Sequence, residues 1–118
     1  MAATPETRVK KKIKEMLTQE KRWYSAISDR YHSGLPDFIA VGRNGEFVAI
    51  EAKAAGKKPE PIQEEIGRRI ERSGGRYAVI CPGKEKGTLE LGILEADGKL
   101  IWFLNIIDLT TLANLLFA

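Results

Sequence analysis

Asp37, directly after Pro36, and the triplet Glu51-Ala52-Lys53 stand thirteen residues apart, at the ends of two adjacent strand-like runs. A tight turn at Asn44-Gly45 joins the runs. Two carboxylates and a lysine gathered in this way could hold a divalent metal against a phosphodiester and ready a water to attack it. That is the chemistry of a small metal-dependent nuclease.

Whether the three groups can meet depends on the strands. Over residues 46–53 the period of two puts Phe47, Ala49, Glu51 and Lys53 on one face and Val48, Ile50 and Ala52 on the other. Both faces are largely apolar before Glu51, as in a strand covered on both sides. An acid and a lysine therefore arrive together at the edge of a core, where charges need a partner or a metal. The plain alternative is a Glu–Lys pair that satisfies only itself. Asp37 decides between the two, provided it shares the face. A two-residue turn at Asn44-Gly45 pairs Asp37 with Ala52 and sends the carboxylates to opposite faces. A three-residue loop, Arg43-Asn44-Gly45, pairs Gly42 with Glu46 and Asp37 with Glu51, with Gly45 in the left-handed position of a bulge. The bulged loop is expected; carboxylates on opposite faces would contradict the catalytic reading.

The elements that position these residues are legible along the chain. Thr4-Pro5-Glu6 is a helix start, with a threonine cap, proline at the first helical position and an acid in the first turn. Val9, Ile13, Met16 and Leu17 follow at helical spacing. Residues 23–27, 36–41 and 46–53 read as strands, 28–35 as a polar loop and 54–60 as a Gly/Lys/Pro loop. Pro61 opens a second helix with Ile62, Ile66 and Ile70 on one face, stopped by Ser73-Gly74-Gly75. Residues 77–81 form a buried-looking strand, with Cys81 packed as a small apolar residue. Residues 88–95 and 100–107 form a second hairpin around Asp97-Gly98, and Asp108 caps a short last helix. The predicted order is αβββαβ followed by ββα, in one domain over residues 1–118.

Composition narrows the class. A chain of 118 residues that is 43% hydrophobic and 30% charged is globular rather than disordered. The lone Cys81 can form neither an internal disulfide nor a zinc cluster. There is no signal peptide or membrane span in the sequence, so a cytoplasmic location, in a bacterium or in the host of a phage, is expected. Net charge is only +3, but residues 8–22 carry seven cations, Lys10 and Lys14 among them, against Glu15 and Glu20. Such a basic face suits phosphate, and a solvated helix surface is its plain alternative.

Pro36-Asp37 with Glu51-Ala52-Lys53 resembles the PD-(D/E)XK nuclease signature. Ser33-Gly34-Leu35-Pro36-Asp37-Phe38-Ile39, Gln63 and Ser73-Gly74-Gly75-Arg76 bring the resemblance closer to the VRR-NUC family, the virus-type replication-repair nucleases. It spans residues 6–81, about two thirds of the chain. The resemblance implies a restriction-endonuclease-like α/β core over residues 4–81. The hairpin and helix of residues 88–118 lie outside it. It implies metal-binding carboxylates at Asp37 and Glu51, the Ala52 carbonyl as a third oxygen ligand, and Mg²⁺ or Mn²⁺ as the ion. Lys53 would position or help deprotonate the water, with Gln63 close to it and to the substrate backbone. Glu6 matches the acid of the family's first helix, which reaches the metal directly or through water. Independently, Glu6 lies in the same stripe as Val9, Ile13 and Leu17, where an acid otherwise serves only the helix dipole. Lys57 and Lys58 in the loop, with Arg30 and Tyr31, are candidate DNA contacts. His32 reads as a surface or hydrogen-bonding residue, with proton transfer as the alternative.

The resemblance further implies structured DNA as substrate, such as a Holliday junction met in DNA repair. Paired cuts in a junction require two active sites, hence a homodimer. Residues 100–118 offer a candidate interface, because fourteen of the nineteen are apolar. The rival readings are a PD-(D/E)XK nuclease for flaps, single strands or short sequences, and a non-catalytic module that binds structured DNA.

Overall fold

The computed structural model describes residues 4–27 and 34–118. Helix α1 runs Pro5–Gln19, and its Thr4 cap accepts a hydrogen bond from the Thr7 N–H at 3.1 Å. After a short strand β1 (Tyr24–Ala26) come β2 (Phe38–Val41) and β3 (Phe47–Ala52). Helix α2 (Pro61–Arg72) leads to β4 (Arg76–Pro82), then β5 (Leu89–Leu94), β6 (Leu100–Ile106) and α3 (Leu109–Leu116). Asp108 caps α3, its carboxylate accepting from the Thr111 N–H at 2.7 Å. The order is the expected αβββαβ followed by ββα.

The six strands form one sheet in chain order, β1 to β6. Every neighbouring pair is antiparallel except β3–β4, which is parallel and is bridged by α2. A parallel pair needs such a crossover, and the Glu60–Pro61 helix start and Gly74-Gly75 stop supply one of suitable length. Gly75 donates to the Ile70 carbonyl at 2.9 Å, closing the helix end. The C-terminal hairpin thus continues the sheet of the core.

One face of the sheet carries Phe38, Val48, Ile50, Ala52, Ala78 and Ile80, buried against Val9, Ile13, Met16 and Leu17 of α1 and Leu112 and Leu116 of α3. The other carries Ala49, Tyr77 and Val79, packed with Ile70 of α2 and with Leu94 and Leu100. Strand β3 is therefore covered on both sides, the condition that makes a charge at its end informative.

Candidate metal centre

The register between β2 and β3 is fixed far from the site, at the loop joining them. Gly42 donates to the Glu46 carbonyl at 2.8 Å, and Gly45 donates to Gly42 at 3.1 Å, leaving a three-residue loop. Gly45 has φ +82°, a left-handed conformation that glycine takes without steric penalty. Asn44 donates to the Glu46 carboxylate at 3.1 Å, and Arg43 reaches Asn114 of α3 at 3.0 Å, which ties the loop to the body. The pairing runs Val41↔Phe47, Ala40↔Val48, Ile39↔Ala49 and Phe38↔Ile50. One step further sets Asp37 opposite Glu51. The bulge that the sequence required is present, and both carboxylates lie on the α2 side of the sheet.

Asp37 is held by the backbone of the strand it faces: its Oδ2 accepts from the Ala52 N–H at 2.8 Å. The chain before it is seated on α2. Gly34, with φ +85°, lies so near that a Cβ there would stand 2.7 Å from Ile62 and 2.9 Å from Ile66. Lys53 extends the parallel ladder past the end of β3, donating to the Ile80 carbonyl at 2.9 Å. Glu51, Ala52 and Lys53 are thus held between Asp37 on one side and β4 on the other, a rigid support for side chains at the strand end.

The electrostatics of the site are set by burial. Glu51 is 2% exposed, and its Oε2 is buried with no hydrogen-bond partner among the described residues. Burial first, then the charge of Asp37 and a shared hydrogen bond with it, push the Glu51 carboxyl up to about 9; Lys53 opposes the shift and Glu6 adds to it. A second buried carboxyl gains nothing from such a place unless positive charge joins it. Part of that charge comes from Lys10 of α1, whose ammonium lies 3.6 Å from Asp37 Oδ1. The buried orphan oxygen, the paired carboxyls and the Ala52 backbone form a donor set of hard oxygens suited to Mg²⁺ or Mn²⁺.

The other expected residues are distributed as follows. Glu6 lies in the first turn of α1, near enough to act on the Glu51 charge. It does not complete a triad: among the described residues no three His, Cys, Asp or Glu side chains come together as a metal group. Gln63 caps α2, its side-chain oxygen accepting from the Glu60 N–H at 2.9 Å. Lys10 stands at the carboxylate pair itself, whereas Lys14, Lys57 and Lys58 are exposed. Arg30, Tyr31 and His32 lie outside the described residues.

Tyr77 was not among the residues expected at the site. It follows from the β3–β4 register, which pairs Ala49 with Tyr77 and Glu51 with Val79, so Tyr77 shares the carboxylates' face. Its hydroxyl is buried with no partner among the described residues. Desolvation, then Glu51, Asp37 and Glu64, drive its phenol upward. A tyrosine in an otherwise apolar strand was the signal that could have flagged it.

Comparison with solved structures finds the same architecture in a VRR_NUC domain, 29% identical, with a TM-score of 0.57, covering 65% of this chain and 84% of the other. No family model matches the sequence, and comparison with curated proteins finds no match either. The chain has a VRR-NUC-like fold, consistent with a PD-(D/E)XK-type α/β core. That is the fold of a nuclease-family domain. No helix among the described residues is long and apolar enough to cross a membrane.

Proposed function

We propose that the protein is a Mg²⁺- or Mn²⁺-dependent endodeoxyribonuclease that hydrolyses phosphodiesters in structured DNA. The observation that carries this reading is the meeting on one face, beside Lys53, of Asp37 with the buried Glu51, whose Oε2 has no hydrogen-bond partner among the described residues. Asp37, Glu51 and the Ala52 carbonyl would hold the ion, with Glu6 reaching it directly or through water. When bound, it would supply Lewis-acid polarisation of the phosphoryl oxygen and a more acidic water. Lys53 would orient the attacking water and meet negative charge growing at the phosphate. Gln63, with its oxygen engaged in the α2 cap, would offer its amide N–H groups to the substrate backbone. Lys14, Lys57 and Lys58 would take flanking phosphates; Arg30 and Tyr31 are further candidates for this. Lys10 would exchange Asp37 for a phosphate once the ion enters.

A four-way junction is the proposed substrate and a homodimer the proposed active form. The β6 edge supports the dimer. Ile101, Leu104 and Ile107 are 47%, 56% and 76% exposed on or beside a strand with no neighbour on its outer side among the described residues. An open edge with that much apolar surface is a ready template for a second copy.

The test is to incubate labelled duplex, flap and four-way junction DNA with each metal and map the cuts. Paired symmetric nicks in the junction, lost in Asp37→Ala and Lys53→Ala with binding retained, are expected. Flap cutting alone would remove the junction proposal and leave the nuclease. Junctions bound yet intact with both metals would favour the non-catalytic binding module.

A further inference from the structure

On the α2 side of the sheet a cavity of about 430 Å³ opens between α2 and the β5–β6 hairpin. Tyr77, Leu94 and Leu100 make its apolar wall, and Trp102 of β6 closes one side. Lys58, Arg68 and Lys99 bring three positive charges to the lining against one carboxylate, Glu64. Arg68 is engaged by Glu64 at 3.6 Å and by Glu65 at 3.4 Å, so Lys58 and Lys99 supply the surplus charge.

Trp102 is an unusual wall. It stands opposite Gly92 in the β5–β6 register, and a Cβ on Gly92 would lie 3.1 Å from each of three atoms of the indole. Equal distances to three ring atoms mean that the ring lies flat over the glycine. One face of the indole therefore covers the sheet while the residue stays 39% exposed. A flat aromatic face beside ammonium groups binds unpaired nucleotides, because the base stacks on the ring and its phosphates meet the cations.

Tyr77 connects this cavity to the carboxylate pair. It lines the cavity, it shares a sheet face with Glu51, and its buried hydroxyl has no partner among the described residues. Lys58 lies five residues beyond Lys53 on the loop that leads from the site to the cavity rim.

We propose that this cavity takes one unpaired nucleobase of the DNA strand held at Asp37 and Glu51, stacked on Trp102, with its phosphates against Lys58 and Lys99. The identity of the strand rests on the nuclease reading; the stacking site does not. It would favour DNA in which a base is already unpaired over a continuous duplex, since unstacking is then avoided.

Trp23 is the only other tryptophan, so Trp23→Phe leaves Trp102 as the sole indole reporter. The full chain is titrated in EDTA, where no cutting intervenes, with oligothymidine, with a duplex bearing one unpaired thymine in a gap, with the same gap made abasic, and with the paired duplex. Oligothymidine and the thymine gap should quench Trp102, and the abasic gap should bind about ten-fold more weakly than the thymine gap. By anisotropy, Trp102→Ala should erase that ten-fold preference and leave paired-duplex affinity unchanged, while Trp102→Phe keeps most of it. Binding of oligothymidine without quenching overturns the proposal, as does equal weakening of all DNAs in Trp102→Ala or no change in preference. Emission that varies with protein concentration alone assigns Trp102 to a contact between copies and also overturns it. Metal-dependent cutting without base preference removes the cavity proposal only. Base preference in a protein that cuts no DNA removes the nuclease reading only.

Discussion

Replacing Glu51 by glutamine should stabilise the metal-free protein at neutral pH. The carboxyl is pushed up to about 9 in the folded chain from its ordinary 4.5. Below pH 4.5 it is protonated in both folded and unfolded states and carries no penalty. Above that, the unfolded chain releases a proton that the folded one keeps, so stability is lost as pH rises towards 9. At about 1.4 kcal/mol per pH unit, the loss reaches about 3 kcal/mol at pH 7. Glutamine has nearly the same shape and cannot titrate. In EDTA, urea unfolding from pH 5 to 8 should therefore show a wild-type midpoint that falls with pH relative to Glu51→Gln. With an m-value of roughly 1–3 kcal/mol per molar, the gap at pH 7 is on the order of 1–3 M urea. Mn²⁺ should restore wild-type stability and leave the variant unmoved. Parallel pH profiles for the two proteins would refute the claim that burial keeps the Glu51 carboxyl protonated in the folded chain.

Four further outcomes follow from the same geometry. Gly45→Ala, strained at φ +82° but meeting no atom within 4 Å, should lower stability by only about 1 kcal/mol in a thermal melt and keep activity. Lys53→Ala should bind Mn²⁺ by calorimetry as the wild type does while turnover falls about 10²–10⁴-fold. Lys10→Ala should lose under about 1 kcal/mol of stability, because the pair with Asp37 is half-exposed, and should bind Mn²⁺ at least as tightly as the wild type. Leu104→Glu with Ile107→Glu should shift a dimer to monomer in sedimentation without unfolding the chain.

Much of this arrangement was legible in the chain because its determinants are local. Thr4-Pro5, Pro61 with Gly74-Gly75, and Asp108 mark helix ends through their own backbone chemistry, and each marks one in the structure. The shared face of Asp37 and Glu51 was legible as a condition on one glycine, since sheet register follows from loop length. Lys10 at Asp37 was not legible, because its place depends on the angle at which α1 crosses the sheet. Gln63 illustrates a signal that serves two masters: its place three residues after Glu60 suits a helix cap as well as a substrate contact. Tyr77 and Trp102 escaped because the cavity they line exists only once the hairpin of residues 89–106 is laid beside α2.

The central claim, that Asp37 and Glu51 form a metal site, is tested most directly by anomalous diffraction from crystals soaked in Mn²⁺. The account predicts a peak bonded to both carboxylates and to the Ala52 carbonyl at about 2.0–2.3 Å, absent in Glu51→Gln. Mn²⁺ bound only elsewhere, or no peak there with Lys10 still paired to Asp37, would contradict it.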